Sequence, residues 1–174
     1  MLFSTNEYSF DIAVEGVFSF TAALEGLTLT MTSERSTEEQ IKNGYHEILA
    51  KGKLKHIMNN HINPSNKKNK KNLTLFYKSF VKDLDELKDI LVDIFHDTDF
   101  VSELSTKVDA AIEFLEIGDS KEIRMIRRYA DAIGYSPAHR DNEIYAVLIA
   151  FTLKKKSEGK YELSINTMFP SKSY

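Results

Sequence analysis

Residues 143–170 read EIYAVLIAFTLKKKSEGKYELSINTMFP, and this stretch decides the fold class. EIYAVLIAFTL is a mostly apolar run of the kind a central strand carries, and KKKSEGK supplies turn chemistry. YELSINTMF then alternates, with Tyr161, Leu163 and Ile165 on one side and Glu162, Ser164 and Asn166 on the other. A period of two is the signature of a half-buried strand. Two strands joined by a short polar turn make an antiparallel hairpin.

Upstream of the hairpin the period changes to that of a helix. Leu84, Leu87, Ile90, Leu91, Ile94 and Phe95 fall on one helical face. A second helix is expected from about Val101 to Leu115, with Leu104, Val108, Ala111 and Ile112 on its apolar stripe and Gly118 as its C-cap. Ser36 and Glu39 form a capping-box pattern ahead of Ile41, Tyr45, Ile48 and Leu49, and that helix fades near Gly52. Leu54 to Ile62 adds a further helical turn that Pro64 stops. NPSNKKNKKN, residues 63–72, is a polar loop with nothing to bury.

The first segment, Tyr8 to Thr32, reads as extended. Leu27, Leu29 and Met31 alternate with threonines, and Tyr8, Phe10, Ile12 and Val14 alternate in the same way. GVFSFTAALEG, residues 16–26, fits a strand and a short helix equally. The expected fold is therefore α+β, with helices near the middle packed on a largely antiparallel β-sheet whose best strands are C-terminal. At 174 residues the chain has the length of a single domain with a sizeable core.

Composition removes several classes of protein. Apolar residues are 42% and charged residues 28%, which excludes wholesale disorder. No apolar run approaches the roughly 18 residues of a membrane span. MLFSTNEYSF lacks the basic and apolar regions of a signal peptide. Cysteine is absent, and with it disulfide scaffolds, thiolate metal sites and cysteine nucleophiles.

The net charge of −3 hides a strong segregation. Residues 1–50 balance at −6, residues 51–82 carry 9 lysines and no acid, residues 83–120 balance at −10, and residues 121–174 at +4. The acids of 83–120 lie opposite the apolar stripes of two helices, which is ordinary solvated surface. The lysine block creates a local potential able to attract phosphate, whatever the total charge. A solvated lysine loop is the plainer reading of the same residues.

Histidine, lysine and hydroxyl groups are the remaining carriers of chemistry. In Lys53-Leu54-Lys55-His56-Ile57-Met58-Asn59-Asn60-His61, two histidines lie among lysines. A histidine titrates near working pH, so the pair suits proton transfer. Metal binding is disfavoured, because i,i+5 is the wrong spacing for one helical face and lysines repel a cation.

Beyond them come Phe76-Tyr77-Lys78-Ser79-Phe80, leading into the strong helix, and Thr167-Met168-Phe169-Pro170 at the end of the last strand. In this order the pieces resemble the barnase/EndoU/colicin/RelE superfamily of ribonuclease toxins, and its EndoU-like branch best. That branch has a His-Ile histidine, a second histidine, a Phe-x-Lys-Ser-aromatic segment before a helix, and a Thr-x-aromatic-Pro strand end. The resemblance covers residues 53–95 and 144–170. It departs from the pattern in lacking a Gly-Gly before His61 and in the short separation of the histidines, which keeps His46 and His139 open as the second histidine. Residues 100–117 take the place of an acidic helical insertion in a toxin core of 36–174, and residues 1–35 match no part of the pattern.

The resemblance implies a metal-independent endoribonuclease that needs no cofactor. It would act in the cytoplasm of a target cell after delivery between competing bacteria, on RNA such as tRNA, and an acidic immunity protein would neutralise it. His56, His61, Lys78 and Thr167 would be catalytic. Phe169 would stack on a base, and Arg140, Lys67 and Lys68 would hold substrate, with Arg127 and Arg128 as further phosphate contacts. The competing expectation is a non-catalytic acidic binding protein, such as the immunity partner of a nuclease.

Overall fold

The computed structural model describes residues 29–50, 53–64 and 73–172. Most of the expected N-terminal extended segment, and the lysine loop with Lys67, Lys68, Lys70 and Lys71, lie outside the described residues. Within them the chain is α+β, with helices and two antiparallel sheets.

The elements in order are strand β1 (Leu29–Thr32), helix α1 (Thr37–Ala50), helix α2 (Lys53–Ile57), a π-helical turn (Met58–Ile62), strand β2 (Leu75–Phe76), helices α3 (Leu84–His96) and α4 (Thr98–Ile112), and strands β3 (Ser120–Arg128), β4 (Gly134–Ser136), β5 (His139–Ile144), β6 (Ala146–Ser157) and β7 (Lys160–Pro170). The larger sheet has the order β1-β7-β6-β3 and the smaller β2-β4-β5. The expected hairpin is β6–β7, and Gly159 occupies its turn at a φ of +69°, a conformation that costs an L side chain strain. The expected Thr-alternating strand is β1, paired antiparallel with β7 so that Leu29 faces Leu163 and Met31 faces Tyr161.

The residues cluster into two compact units. One comprises 1–51, 91–123 and 151–165, and the other 52–90, 124–150 and 166–174.

In the first unit, α1 packs on β1 and α4. Ile41 and Ile48 are fully buried, as their helical spacing predicts, and Ser36 Oγ accepts from Glu39 N–H at 3.5 Å. Buried Gln40 ties the strand to the helix. It accepts from Thr32 N–H and donates to the Thr32 carbonyl, both at 2.9 Å. Phe95 meets Phe100 and Phe151 edge-on and stacks on Tyr45, with centroids 5.5 Å apart. Asp97 caps α4 by accepting from the N–H groups of Asp99 and Phe100. Gly118 is not the C-cap of α4, which ends at Ile112. The helix tightens there into a shorter turn, with the Phe114 N–H on the Ala111 carbonyl at 3.2 Å. Gly118 stands at φ +94° in the turn into β3 and donates its N–H to the Lys155 carbonyl.

In the second unit the core is formed by Ile57, Ile62, Leu75, Phe76, Val81, Met125, Ile133, Ile144 and Met168, all buried. The small sheet has no counterpart in the sequence periodicity. Leu75 pairs with Tyr135 and Phe76 with Gly134, and the Tyr77 N–H continues the ladder to the Ile133 carbonyl. Gly134 is required here by close approach. A Cβ at this position would lie 2.5 Å from the Leu75 carbonyl oxygen and 2.6 Å from Pro170 Cγ. The stretch around Arg140, which reads as a polar loop, is instead the β4–β5 hairpin, with Arg140 on β5. An antiparallel strand with one face in water accepts such polar residues, so their polarity alone does not mark a loop.

Candidate functional site

The second unit carries the residues that the sequence singles out. α2 presents His56 on its exposed side, and the chain then widens into the π turn, closed by the Asn63 N–H on the Met58 carbonyl at 2.7 Å. At about 100° per residue, positions five apart in an α-helix lie some 140° apart around the axis. A π turn, bonded i to i+5, widens the helix locally, and such turns are frequent at functional sites. The turn spans Met58–Ile62, so it holds His61 but starts after His56, which belongs to α2.

His61 is 8% exposed. Its Nδ1 lies 2.9 Å from the Thr74 carbonyl oxygen, which can only accept, so Nδ1 carries the proton in this hydrogen bond. In the neutral ring this leaves Nε2 with its lone pair. Burial pushes the His61 pKa below the ordinary histidine value, His56 adds a smaller push in the same direction, and the Thr74 bond opposes both. The lowered pKa favours the neutral ring, whose Nε2 can accept. The Asn60 side-chain amide contacts the ring nitrogens of His56 at 3.0 and 3.1 Å, bracing the outer histidine from one turn on.

The far end of the chain arrives at the same place. The Phe169 ring stacks on His61, with centroids 5.3 Å apart and planes inclined by 27°. Met168 points into the core, so Thr167 and Phe169 share the opposite face of β7. Thr167 and Phe169 are both half-buried.

Lys78 is exposed in the turn after β2. It borders a cleft of about 480 Å³ lined by Ile62, Leu75, Phe76, Tyr77 and Tyr135. Two of these residues adjoin the histidine: Ile62 follows His61, and Leu75 follows the Thr74 that bonds it. Tyr77 and Tyr135 stack with centroids 5.2 Å apart. The structure thus joins His61 and Phe169, leaves His56 exposed one helical turn earlier against Asn60, and places Thr167 on the Phe169 face and Lys78 at the adjoining cleft.

Other candidates stand elsewhere. His46 belongs to α1 in the first unit, where burial lowers its pKa. His139 is exposed on β5. Arg127 lies over the Tyr129 ring at 5.6 Å, and Arg128 is exposed at the end of β3. Among the described residues no group of three or more His, Asp or Glu side chains is arranged to hold a metal ion, and no helix is long and apolar enough to cross a membrane.

Tyr135, Thr74 and Asn60 are not legible as site residues in the sequence. Only pairing of β4 with β2 brings Tyr135 to Tyr77, and only the fold brings the Thr74 carbonyl to His61. No protein-family model, curated protein or solved structure matches the chain.

Proposed function

We propose that this protein is a metal-independent endoribonuclease of the toxin type. In the reaction, a 2′-OH of RNA attacks the adjacent phosphorus. The O2′–P bond forms and the P–O5′ bond breaks, leaving a 2′,3′-cyclic phosphate and a free 5′-OH. His61 Nε2 takes the 2′-OH proton, and His56 in its protonated form returns one to O5′. Lys78 offsets the charge that builds on the phosphate oxygens. Thr167 donates its hydroxyl to a phosphate or base edge, and Phe169 offers a ring to an unpaired base.

The observation that carries this reading is the stack of His61 on Phe169. It joins two sequence motifs far apart along the chain, beside a histidine whose tautomer the Thr74 carbonyl sets. In this reading the enzyme acts on RNA such as tRNA in the cytoplasm of a target cell, and an acidic immunity protein covers the site.

The test is incubation of purified protein with end-labelled single-stranded RNA in EDTA, with the products analysed for cyclic phosphate ends. Cleavage that persists in EDTA and falls in His56→Ala and Lys78→Ala supports the proposal. Parent-rate cleavage by both variants, or complete loss in EDTA, overturns it. The acidic first unit favours the second reading, a non-catalytic binding protein. Expression separates the two: a toxin resists production without its partner, and a binding protein is made freely.

A further inference from the structure

We infer that the cleft bounded by Tyr77, Tyr135 and Lys78 is a second nucleotide subsite, which takes one unpaired base of single-stranded RNA next to the bond at the histidines. This rests on the proposed ribonuclease reading and extends it to Tyr77 and Tyr135, which lie outside the catalytic set, with Lys78 shared between the two.

Three features of the cleft point to that occupant. Its volume, about 480 Å³, is in the range of small-ligand sites and suits one nucleotide rather than a folded partner. Its floor, Ile62, Leu75 and Phe76, is apolar and buried, while its wall is a pair of stacked tyrosines with a polar hydroxyl on each ring. A flat, largely apolar solute with polar edges fits such a lining, and a nucleobase has that form. Lys78 is the charged residue at the rim, exposed and able to meet the phosphate that the base carries with it.

Position supplies the link to the reaction. His61 is followed by Ile62 on the cleft floor, and its Nδ1 is held by the carbonyl of Thr74, which precedes Leu75 on the same floor. A chain with its phosphate at His61 therefore has a neighbouring base at the cleft. The unit itself carries 14 basic and 7 acidic residues, a net +7 that favours a polyanion over an acidic or neutral ligand. A base held in a duplex cannot enter, so the subsite selects unpaired RNA.

The probe is a fluorescein-labelled hexamer of 2′-O-methyluridine, which lacks the attacking hydroxyl and so reports binding alone. Tyr135→Leu keeps apolar volume and removes the stacking face. It is expected to weaken hexamer binding about 5- to 150-fold, the range for loss of one base–aromatic stack. The gain in affinity from dimer to hexamer should shrink accordingly, while Tyr135→Phe should bind like the parent. A 2′-O-methyl-5-iodouridine hexamer photo-crosslinked to the unaltered protein gives a measurement independent of variant folding, with adducts expected on Tyr77 or Tyr135.

Equal binding by Tyr135→Leu and the parent, adducts confined to other residues, or equal competition by duplex RNA overturns the subsite. Tyrosine-dependent binding without any cleavage of unmodified RNA keeps the subsite and overturns the catalytic reading. Cleavage with no dependence on Tyr135 does the reverse.

Discussion

The two units of this protein handle charge in opposite ways. The first carries 9 basic and 19 acidic residues, a net −10, and the second 14 and 7, a net +7. Among the described residues each buries one carboxyl or imidazole side chain, and these differ as well. Glu47 in the first unit is fully buried, with neither carboxylate oxygen accepting a hydrogen bond. Its neighbour His46 lies 4.0 Å away, with its side chain 43% exposed and its pKa lowered by partial desolvation. Desolvation therefore pushes the Glu47 pKa up to about 8. His61 in the second unit is buried too, yet one nitrogen is bonded and the other keeps its lone pair. Burial without a partner costs stability and directs nothing. Burial with one partner orients the remaining group, and orientation is what catalysis uses.

Removing a group from the histidine site should give the largest effect. His56→Ala is expected to slow RNA cleavage by about 10² to 10⁴-fold with an unchanged melting curve, since His56 is exposed and holds little of the fold. Lys78→Ala should fall in the same range. If His61 is the base, kcat/KM declines as pH falls below the ordinary histidine value of 6.5, because protonation removes its acceptor. A small loss in His61→Ala moves that role to His46 or His139.

The unbonded group gives the next effect. A carboxyl whose folded pKa is raised binds more protons folded than unfolded, so stability is fully present below 4.5 and is lost as pH rises through about 8. Glu47→Gln should remove that decline and stabilise the protein at pH 8 by on the order of 3 kcal/mol, read by urea denaturation at several pH values. His61 has the opposite sign. Its lowered pKa costs stability as pH falls below 6.5, so the two buried groups shift the pH profile in opposite directions. A variant with the same pH profile as the parent would show that Glu47 has found a partner in solution.

A smaller loss is expected at Gly134, where an added methyl meets the Leu75 carbonyl. Gly134→Ala should cost about 1–3 kcal/mol by overpacking and weaken binding at the Tyr77–Tyr135 cleft through strand β2. Unaltered stability would mean β2 and β4 separate easily. Smallest is the salt response. Replacing Lys67, Lys68, Lys70 and Lys71 together with glutamine should flatten the dependence of RNA affinity on log salt by about 0.7 for each phosphate no longer neutralised. An unchanged slope would show that the +7 unit binds through other cations.

The α+β class, the β6–β7 hairpin, helices α1, α3 and α4 and strand β1 are all legible from the sequence alone, because their periods of 2 and 3.6 are set by local backbone geometry. Ile41, Ile48, Leu87, Leu91, Leu163 and Ile165 can be named as core for the same reason. The histidines, Lys78, Thr167 and Phe169 can be named too, but only as residue types in an order. What the tertiary structure alone decided was the π turn that carries His61, the small β2-β4-β5 sheet and the placement of Phe169 on His61. The sheet rests on a two-residue strand and on Gly134, features too short to leave a period. The tautomer of His61 likewise depends on a carbonyl 13 residues away, whose direction no local rule specifies. Such contacts depend on how distant segments pack, and that information is spread over the whole core rather than written at the site.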